Sequence, residues 1–403
     1  MASPLMAKDS PLSIAEYAAE ATKADQFRGK QDALLKVGFG LFGEIGGLLS
    51  ALKAVSRDAS LEMTETDFAG EEIGDALWYL VGVAAHAGVD ATAVGAACLR
   101  SLREQFGESN VAPGSEITFD EIDGLVEVHR RSLHSRREGL LRSLAAAVGA
   151  LTGKSQAELE HADAAAKCIE LGCIMAKLAI VAVHFRLGLS QIARHNLEKI
   201  KDRWPGPNPV YPELPDKDAL EHERLPRQFD IVFLPRKVGR RWVVVQQMKG
   251  VNIGDPLTDN SYKPDGYRYH DVFHLSYVAH LGWSPVIRAL LKLKRKSDPQ
   301  KDEKDDGARA IIIEEGIATW IFNDAKPRKF FADVAEGRLD YRLLKQVHSM
   351  VRGYEPEHCP LWQWERAILD GFKVFRELLE HGTGTVNVDM DAHTLKFDRS
   401  TPQ

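Results

Sequence analysis

The first half of the chain contains an internal repeat, which constrains the fold more than any single motif does. Residues 71–99, EEIGDALWYLVGVAAHAGVDATAVGAACL, align without a gap on residues 169–197, IELGCIMAKLAIVAVHFRLGLSQIARHNL. Seven of these aligned positions are identical, among them Glu72 and Glu170, where average residue usage would give about two. Upstream, residues 40–52 match GLLRSLAAAVGAL, which begins 99 residues later. Apolar residues recur three and four positions apart in both copies, so the repeat predicts two related helical units in tandem.

The composition changes after the repeat. Prolines in WPGPNPVYPELPDKD forbid a continued helix and predict a linker, and FDIVFLPRKVGRRWVVVQQM then predicts a β-hairpin. TVNVDM and TLKFD predict two further strands near the C-terminus. We therefore predict a mainly α chain of four parts: a helical repeat at 1–110, a second at 111–205, a proline-rich linker at 206–228, and an α+β domain with a small antiparallel sheet at 229–403.

Helices are also predicted inside the α+β domain. The apolar periodicity favours helices at 266–295, 307–324, 341–353 and 360–381. The charged segment KLKRKSDPQKDEKDDG, residues 292–307, is expected to be either a solvated loop or a mobile cover over a nearby site.

Composition and charge exclude several classes of function. The 58 acidic side chains outnumber the 52 basic ones, so no global positive field favours nucleic acid, and none is expected as a partner. The four cysteines show no paired C-x-x-C spacing, which fits a reducing compartment better than a disulfide framework or a structural zinc site. No targeting segment and no uncharged apolar run of membrane-spanning length is evident, so we expect a cytoplasmic protein without a membrane partner.

Three acidic residues lie where the apolar face of a helix should be. Glu72 and Asp75 are one turn apart on one face, and Glu44 lies in the preceding helix of the same copy. Unpaired carboxylates in such a place repel each other, so a shared cation is expected. Mg²⁺ prefers carboxylate oxygens and often bridges to phosphates. Helix N-terminal positions or ordinary ion pairs are the alternative explanation.

The second copy carries different polar groups. Cys173 and Ser143 stand where the first copy has acids. The second copy ends HNLEKIKDRW, which supplies Asn196, Lys199 and Arg203, groups that can donate hydrogen bonds to phosphate. We therefore predict that one copy keeps carboxylates while the other keeps the phosphate-binding donors.

GLFGEIGGLLSALK, then EEIGDALWYL, then NLEKIKDRW resemble the MazG-like branch of the all-α nucleoside triphosphate pyrophosphatases. The resemblance covers roughly residues 25–205. It implies a tandem MazG-like helical bundle and a reaction that converts a nucleoside triphosphate and water to the monophosphate and pyrophosphate. Members of the family assemble as helical dimers or tetramers, so the resemblance leaves open both an internal pseudo-dimer of the two copies and a homodimer of the chain. The predicted metal ligands and catalytic residues, for Mg²⁺ or Mn²⁺, are Glu44, Glu72 and Asp75; the predicted substrate-binding residues are Asn196, Lys199, Arg203 and Lys53.

One position departs from the pattern of that family. The family has a second glutamate three residues after the first, and this chain has Gly47 there. The departure leaves three classes of function open. They are a Mg²⁺-dependent hydrolase, a nucleotide sensor that binds without turnover, and a structural protein with a vestigial site.

The C-terminal region repeats the pattern of acids and histidines on apolar helices. His270 and His274 are four residues apart, Asp271 precedes His274 by three, and Glu314 and Glu315 lie in a second apolar helix. EEGIATWIF beside EEIGDALWYL makes this region look like a third, more diverged repeat, similar to the C-terminal domains attached to MazG-like proteins. The five residues predict either a second metal site or a buried network of histidines and carboxylates.

Overall fold

The computed structural model describes residues 10–57, 64–109, 114, 116–133 and 137–400, except for the side chains of residues 51–57. The chain divides into two compact units, Met1–Lys201 and Asp202–Gln403. Helices dominate both, and the one sheet in the described residues belongs to the second unit. The predicted mainly α class with an α+β end is confirmed.

The first unit is a helical bundle. Thr64 and Asp67 form a capping box at the start of its longest acidic helix, and Asp90 and Asp163 cap two others, so the polar residues between apolar runs fix where helices begin. The helices are α1 (Ile14–Ala21), α2 (Ala33–Arg57), α3 (Glu65–His86), α4 (Ala91–Phe106), α5 (Phe119–Val128), α6 (Arg130–Leu133), α7 (Arg137–Thr152), α8 (Gln156–His161), α9 (Ala164–His184) and α10 (Leu189–Arg203).

The helix boundaries recur at the offset of the repeat. Helices α3 and α9 end at His86 and His184, which are 98 residues apart, and α4 and α10 begin at Ala91 and Leu189, at the same offset. Helix α7 occupies the position in the second copy that α2 occupies in the first.

Equivalent glycines let each copy pack against the other. A Cβ at Gly74 in α3 would lie 3.3 Å from Nδ2 of Asn196 in α10, and a Cβ at Gly172 in α9 would lie 2.5 Å from Cβ of Ala97 in α4. The long helix of one copy thus crosses the last helix of the other. The predicted copies at 1–110 and 111–205 are therefore packed into one unit, not two separate ones.

The second unit contains a five-stranded antiparallel sheet in the order β3-β2-β1-β4-β5. The predicted hairpin is present, with Val238 opposite Arg241 and Gly239 at a φ of 61° in the turn. Both predicted C-terminal strands are present, whereas β3 was not predicted. The strands are β1 (Gln228–Val238), β2 (Arg241–Met248), β3 (Val251–Leu257), β4 (Gly384–Asp389) and β5 (Thr394–Asp398).

The helices of the second unit pack on this sheet around α11 and α16. Gly371 in α16 lies against Ser276 in α11, whose hydroxyl donates to the carbonyl of Ala367. The predicted helix at 266–295 is broken, because Gly282 adopts a φ of 65° and Pro285 starts a new helix. The helices are α11 (Asp271–Leu281), α12 (Pro285–Leu290), α13 (Pro299–Lys304), α14 (Ala308–Ala325), α15 (Tyr341–Met350) and α16 (Leu361–His381).

Two segments between the predicted helices and strands contribute buried charged residues to the second unit. In the segment predicted as a linker, the buried carboxylate of Asp216 accepts hydrogen bonds from Arg227 and Arg288. In the charged segment 292–307, Arg295 and Asp306 form a buried ion pair with Nη2 and Oδ1 2.7 Å apart. This pair anchors the segment, while residues 296–300 are exposed, so the prediction of a solvated loop or a mobile cover stays a prediction.

Helix α2 passes a simple test for membrane spanning. Residues Ala33–Ser50 are long and apolar enough by composition, with a mean hydropathy of 1.4, although they include Lys36 and Glu44. Helices α9 and α10 pass only when the bent pair is counted as one span. Core helices pass the same test, so this is weak evidence for a membrane and leaves the predicted absence of a membrane partner untested.

Candidate functional site

The acids of the first copy meet the donors of the second copy inside the first unit. Asp75 of α3 accepts two hydrogen bonds from Nζ of Lys199, at 2.8 and 2.6 Å to its two oxygens, and one from Nδ2 of Asn196 at 3.1 Å. Both donors lie on α10, which packs against α3 at Gly74. The repeat thus folds so that one residue set from each copy shares one site.

Glu44 of α2 and Glu72 of α3 complete the acidic cluster. A hydrogen bond joins the two side chains, and the charge of Asp75 acts on both. Burial, then the charges of Asp75 and Glu72, raise the pKa of Glu44 to about 7. Burial also raises the pKa of Glu72. Glu44 therefore holds a proton near neutral pH when no cation is present.

Gly47, the position that departs from the family pattern, faces this cluster. A Cβ built there would lie 2.1 Å from Oε2 of Glu72, so the carboxylate of Glu72 occupies the space next to the α2 backbone. A side chain at position 47 would reach the acidic cluster. The glutamate that the family has at this position would therefore be part of the site, and this chain lacks it.

Two further residues contribute to the site that the sequence did not single out. The hydroxyl of Tyr17 donates to Oδ1 of Asn196 at 2.8 Å, which turns Nδ2 toward Asp75. Glu71 lies 3.6 Å from Nζ of Lys199. The sequence could have indicated Glu71, because it directly precedes Glu72. It could not have indicated Tyr17, which lies outside the repeat.

The equivalent positions of the second copy make an ion pair and a hydrogen bond with lysines of that copy. Lys154 donates to both oxygens of Glu170 at 2.6 Å, and Lys177 donates to Ser143 at 2.8 Å. A lysine thus satisfies the surviving carboxylate of this copy. Among the described residues, the acidic cluster is present in the first copy alone.

Arg203 does not belong to the site, although it was predicted to reach the nucleotide. Its guanidinium lies in the second unit, is 2% exposed, and pairs with Glu365. It also donates to the carbonyl of Leu339 at 2.8 Å. Because a buried, doubly used guanidinium cannot turn to a ligand, the assignment of Arg203 is corrected. Lys53 lies in α2, but its side chain is outside the described residues.

The residues of the predicted C-terminal site also lie together. His270 directly precedes α11, which supplies Asp271 and His274, and α14 supplies two glutamates. The ring of His274 hydrogen bonds to Glu314 at 2.8 Å, and Oδ1 of Asp271 lies 3.1 Å from Nε2 of His270. Oε2 of Glu315 lies 3.6 Å from Nε2 of His274. All five predicted residues form one cluster.

Comparison with known proteins identifies the second half of the chain. Residues 210–401 match the model of the MazG C-terminal domain. The chain is a MazG-like protein with a MazG C-terminal domain. The prediction of that relationship is confirmed, and the match covers no residue of the helical repeat. No curated protein and no solved structure matches the chain significantly.

A MazG domain indicates a nucleotide-related function in general terms and is consistent with a nucleotide hydrolase. In this MazG-like chain the match begins inside the segment predicted as a linker, in agreement with the burial of Asp216 there. The predicted third repeat within the MazG C-terminal domain stays a prediction.

Divalent cations should bind the acidic cluster of the MazG-like chain more weakly as the pH falls. With a pKa of about 7, Glu44 must lose its proton to become a ligand, so the affinity for Mg²⁺ should fall by up to about tenfold per pH unit below that value. The same shift means that the protonated carboxyl stabilises the metal-free fold at low pH, and this contribution is lost as the pH rises through 7.

Thermal unfolding at a series of Mg²⁺ concentrations, at pH 6 and pH 8, measures this effect. Glu44→Gln is the control, because glutamine keeps the shape without the titration and should make the Mg²⁺ dependence alike at both pH values. Equal affinity at the two pH values in the unaltered protein would rule out Glu44 as the titrating ligand.

Proposed function

We propose that the first unit is a Mg²⁺-dependent nucleoside triphosphate pyrophosphohydrolase. It would convert a canonical or modified nucleoside triphosphate and water to the nucleoside monophosphate and pyrophosphate. The observation that carries the proposal is the meeting of Asp75 with Asn196 and Lys199, because it brings carboxylates and phosphate-type donors into one site. A purely structural pair would not need Glu44 and Glu72 as well.

The donor set fits a hard divalent cation. Glu44, Glu72 and Asp75 offer oxygen atoms alone. Burial, together with the charges of the neighbouring acids, raises the pKa of Glu44 and of Glu72, which favours a cation between the three carboxylates. When bound, Mg²⁺ or Mn²⁺ supplies charge that neutralises a triphosphate and makes water more acidic.

The residues of the chain would bind the substrate and accept a proton. Lys199 carries a positive charge at Asp75, and a triphosphate would draw its ammonium toward phosphate oxygens. Tyr17 holds the amide of Asn196 with its NH₂ group turned into the site. Water would attack the α-phosphorus as pyrophosphate leaves, and the proton that the water loses would pass to a carboxylate oxygen of the cluster that does not hold the cation.

A product assay tests the proposal. The chain is incubated with Mg²⁺ or Mn²⁺ and a panel of canonical and modified nucleoside triphosphates, and the products are identified by mass. We expect a monophosphate and pyrophosphate from at least one member, and none after removal of the cation with EDTA. Absence of any product across the panel would exclude the hydrolase and leave the alternatives below.

Two observations favour a second candidate, a nucleotide sensor that binds at the same site without turnover. Gly47 removes one carboxylate that faces Glu72, and Lys199 already neutralises Asp75. A sensor would show thermal stabilisation by nucleotide without product. A protein that shows neither stabilisation nor product would be structural.

Restoring the missing acid should strengthen the site. In Gly47→Glu the new carboxylate points at Glu72, whose flexible end can move aside, so a fourth oxygen ligand becomes available. We expect Mg²⁺ affinity to rise by about tenfold and turnover to rise with it.

The matched control is Gly47→Ala, which gains helix propensity, about 1 kcal/mol, without a carboxylate. Mg²⁺ titrations followed by thermal unfolding and by the product assay compare the two variants. An alanine variant that gains as much Mg²⁺ affinity as the glutamate variant would show that the acid is not the cause.

A further inference from the structure

Four ligand atoms converge between α11 and α14 in the MazG C-terminal domain. Nε2 of His270 lies 3.1 Å from Oδ1 of Asp271 and 3.8 Å from Oε2 of Glu315. Nε2 of His274 lies 3.6 Å from the same oxygen of Glu315. One ligand atom from each of His270, Asp271 and His274 lies within 4.8 Å of the others. In a tetrahedral site with bonds of about 2.0–2.1 Å, ligand atoms are about 3.3 Å apart, so small shifts would close this set on one ion.

The partners of the two imidazoles aim their free nitrogens into the cluster. Nδ1 of His270 lies 2.9 Å from the carbonyl oxygen of Tyr267, and Nδ1 of His274 lies 2.8 Å from Oε1 of Glu314. Since a carbonyl and a carboxylate can only accept, both Nδ1 atoms donate. In the neutral rings the Nε2 lone pairs then face the carboxylates of Asp271 and Glu315. A histidine oriented by a carboxylate or carbonyl in this way is the usual arrangement of a metal ligand.

Without a cation this arrangement leaves polar atoms unsatisfied. His274 is fully buried, and its Nε2 finds no hydrogen-bond partner among the described residues. Among the described residues, Oε1 of Gln246 also has no hydrogen-bond partner. Nε2 of Gln246 donates to Oδ2 of Asp271 at 2.5 Å and holds that carboxylate in place. A buried polar group without a hydrogen-bond partner destabilises the fold, and a metal ion would satisfy the histidine directly.

Charge points to the same conclusion. Three carboxylates, those of Asp271, Glu314 and Glu315, face two imidazoles, and the first two are almost fully buried. Even with one imidazole protonated, two negative charges would be uncompensated, which is costly inside a protein. A divalent ion would reduce this to one. Glu315 is 39% exposed, so solvent can approach the cluster from its side.

We propose that His270, Asp271, His274 and Glu315 bind one divalent transition metal ion such as Zn²⁺, Fe²⁺ or Mn²⁺. Mixed imidazole and carboxylate ligands suit these ions, whereas the all-oxygen cluster of the first unit suits Mg²⁺. The site does not depend on the proposed hydrolase. Glu314 and Gln246 act as positioning residues that orient His274 and Asp271.

Co²⁺ titration of the full-length chain tests the proposal. The protein is stripped with EDTA, dialysed, and titrated at neutral pH while the visible absorption of Co²⁺ is recorded. A Glu72→Gln background weakens the acidic cluster of the first unit, so that binding there does not confuse the count. We expect about one equivalent of Co²⁺ with an absorption band typical of nitrogen ligands.

Three variants assign the ligands. His274→Gln should abolish the band, and Glu315→Gln, a change at a partly exposed side chain that should not disturb folding, should weaken Co²⁺ binding by at least about tenfold. The matched control is His280→Gln, on the same helix. His280 is buried as well, but its Nε2 lies 2.9 Å from Oδ2 of Asp370, which is not part of the cluster. It should bind Co²⁺ as the unaltered chain does.

Two outcomes would overturn the proposal. One is a stripped chain that binds no Co²⁺ with such a band, which would leave a buried histidine and carboxylate network. The other is unchanged binding in both His274→Gln and Glu315→Gln. If His274→Gln fails to fold, as judged by circular dichroism, Glu315→Gln decides alone. An unaltered chain that binds Co²⁺ at this site but hydrolyses no nucleoside triphosphate would contradict only the function proposed for the first unit.

Discussion

Replacing Glu72 with glutamine should abolish Mg²⁺-dependent hydrolysis of nucleoside triphosphates. Glu72 is hydrogen bonded to Glu44, lies against Gly47, and is a predicted metal ligand in the centre of the acidic cluster. Loss of one ligand from a site that already lacks a family glutamate should raise the barrier by about 4 kcal/mol, a thousandfold loss of rate. Asp75→Asn should have an effect of similar size. Initial rates of monophosphate formation measure both.

The repeat supplies the matched control for this variant. Glu170 occupies the equivalent position of the second copy, but it is satisfied by Lys154 and faces no further acid of the cluster. Glu170→Gln should therefore keep near-normal turnover. Equal rates in Glu72→Gln and in the unaltered chain would remove the assignment of the cluster, and equal losses in Glu72→Gln and Glu170→Gln would point to a general effect on the fold.

Replacing Arg203 with methionine should destabilise the second unit by about 3–5 kcal/mol, because it leaves a buried carboxylate without its cation. Glu365 is 1% exposed, and besides Arg203 it accepts the amide hydrogens of Gly337 and Leu339 at 3.0 and 2.6 Å. Two neutral donors cannot replace a buried guanidinium. At temperatures below unfolding the variant should bind nucleotide normally, since Arg203 is not in the acidic site.

Urea unfolding followed by tryptophan fluorescence measures this loss. Of the seven tryptophans only Trp78 lies in the first unit, so the signal reports mainly the second. Arg366→Met is the control, because Arg366 pairs with an exposed glutamate, Glu336, and should cost no more than about 1 kcal/mol. A tenfold rise in the Michaelis constant for nucleotide in a stable Arg203→Met protein would restore the original assignment.

The sequence was sufficient to predict the parts of the site that follow from spacing and repetition. Glu72 and Asp75 are one turn apart, and the offset of 98 residues placed Asn196 and Lys199 on the matching helix of the other copy. The contact of Asn196 and Lys199 with Asp75 depends on the packing of α10 against α3 at Gly74, which spacing alone does not predict.

Where the sequence failed, the decisive partner was distant in the chain. Arg203 follows Asn196 by seven residues, so helical spacing placed both on the same face. In the structure Arg203 pairs instead with Glu365, which lies 162 positions later in the chain. The third strand, VNIGDPL, was missed because glycine, aspartate and proline disfavour strands, and pairing with β2 overrides that preference. In the C-terminal cluster, spacing predicted the two histidines, whereas Gln246 comes from a strand that nothing in the sequence linked to them.

The central claim is that carboxylates of one copy and donors of the other form one hydrolytic site. Its most direct test incubates the unaltered chain and Glu72→Gln, side by side, with Mg²⁺ and a panel of nucleoside triphosphates, and identifies the products by mass. The account predicts a monophosphate and pyrophosphate from the unaltered chain and neither from the variant. Diphosphate and phosphate as products, or the same yield from both proteins, would contradict it.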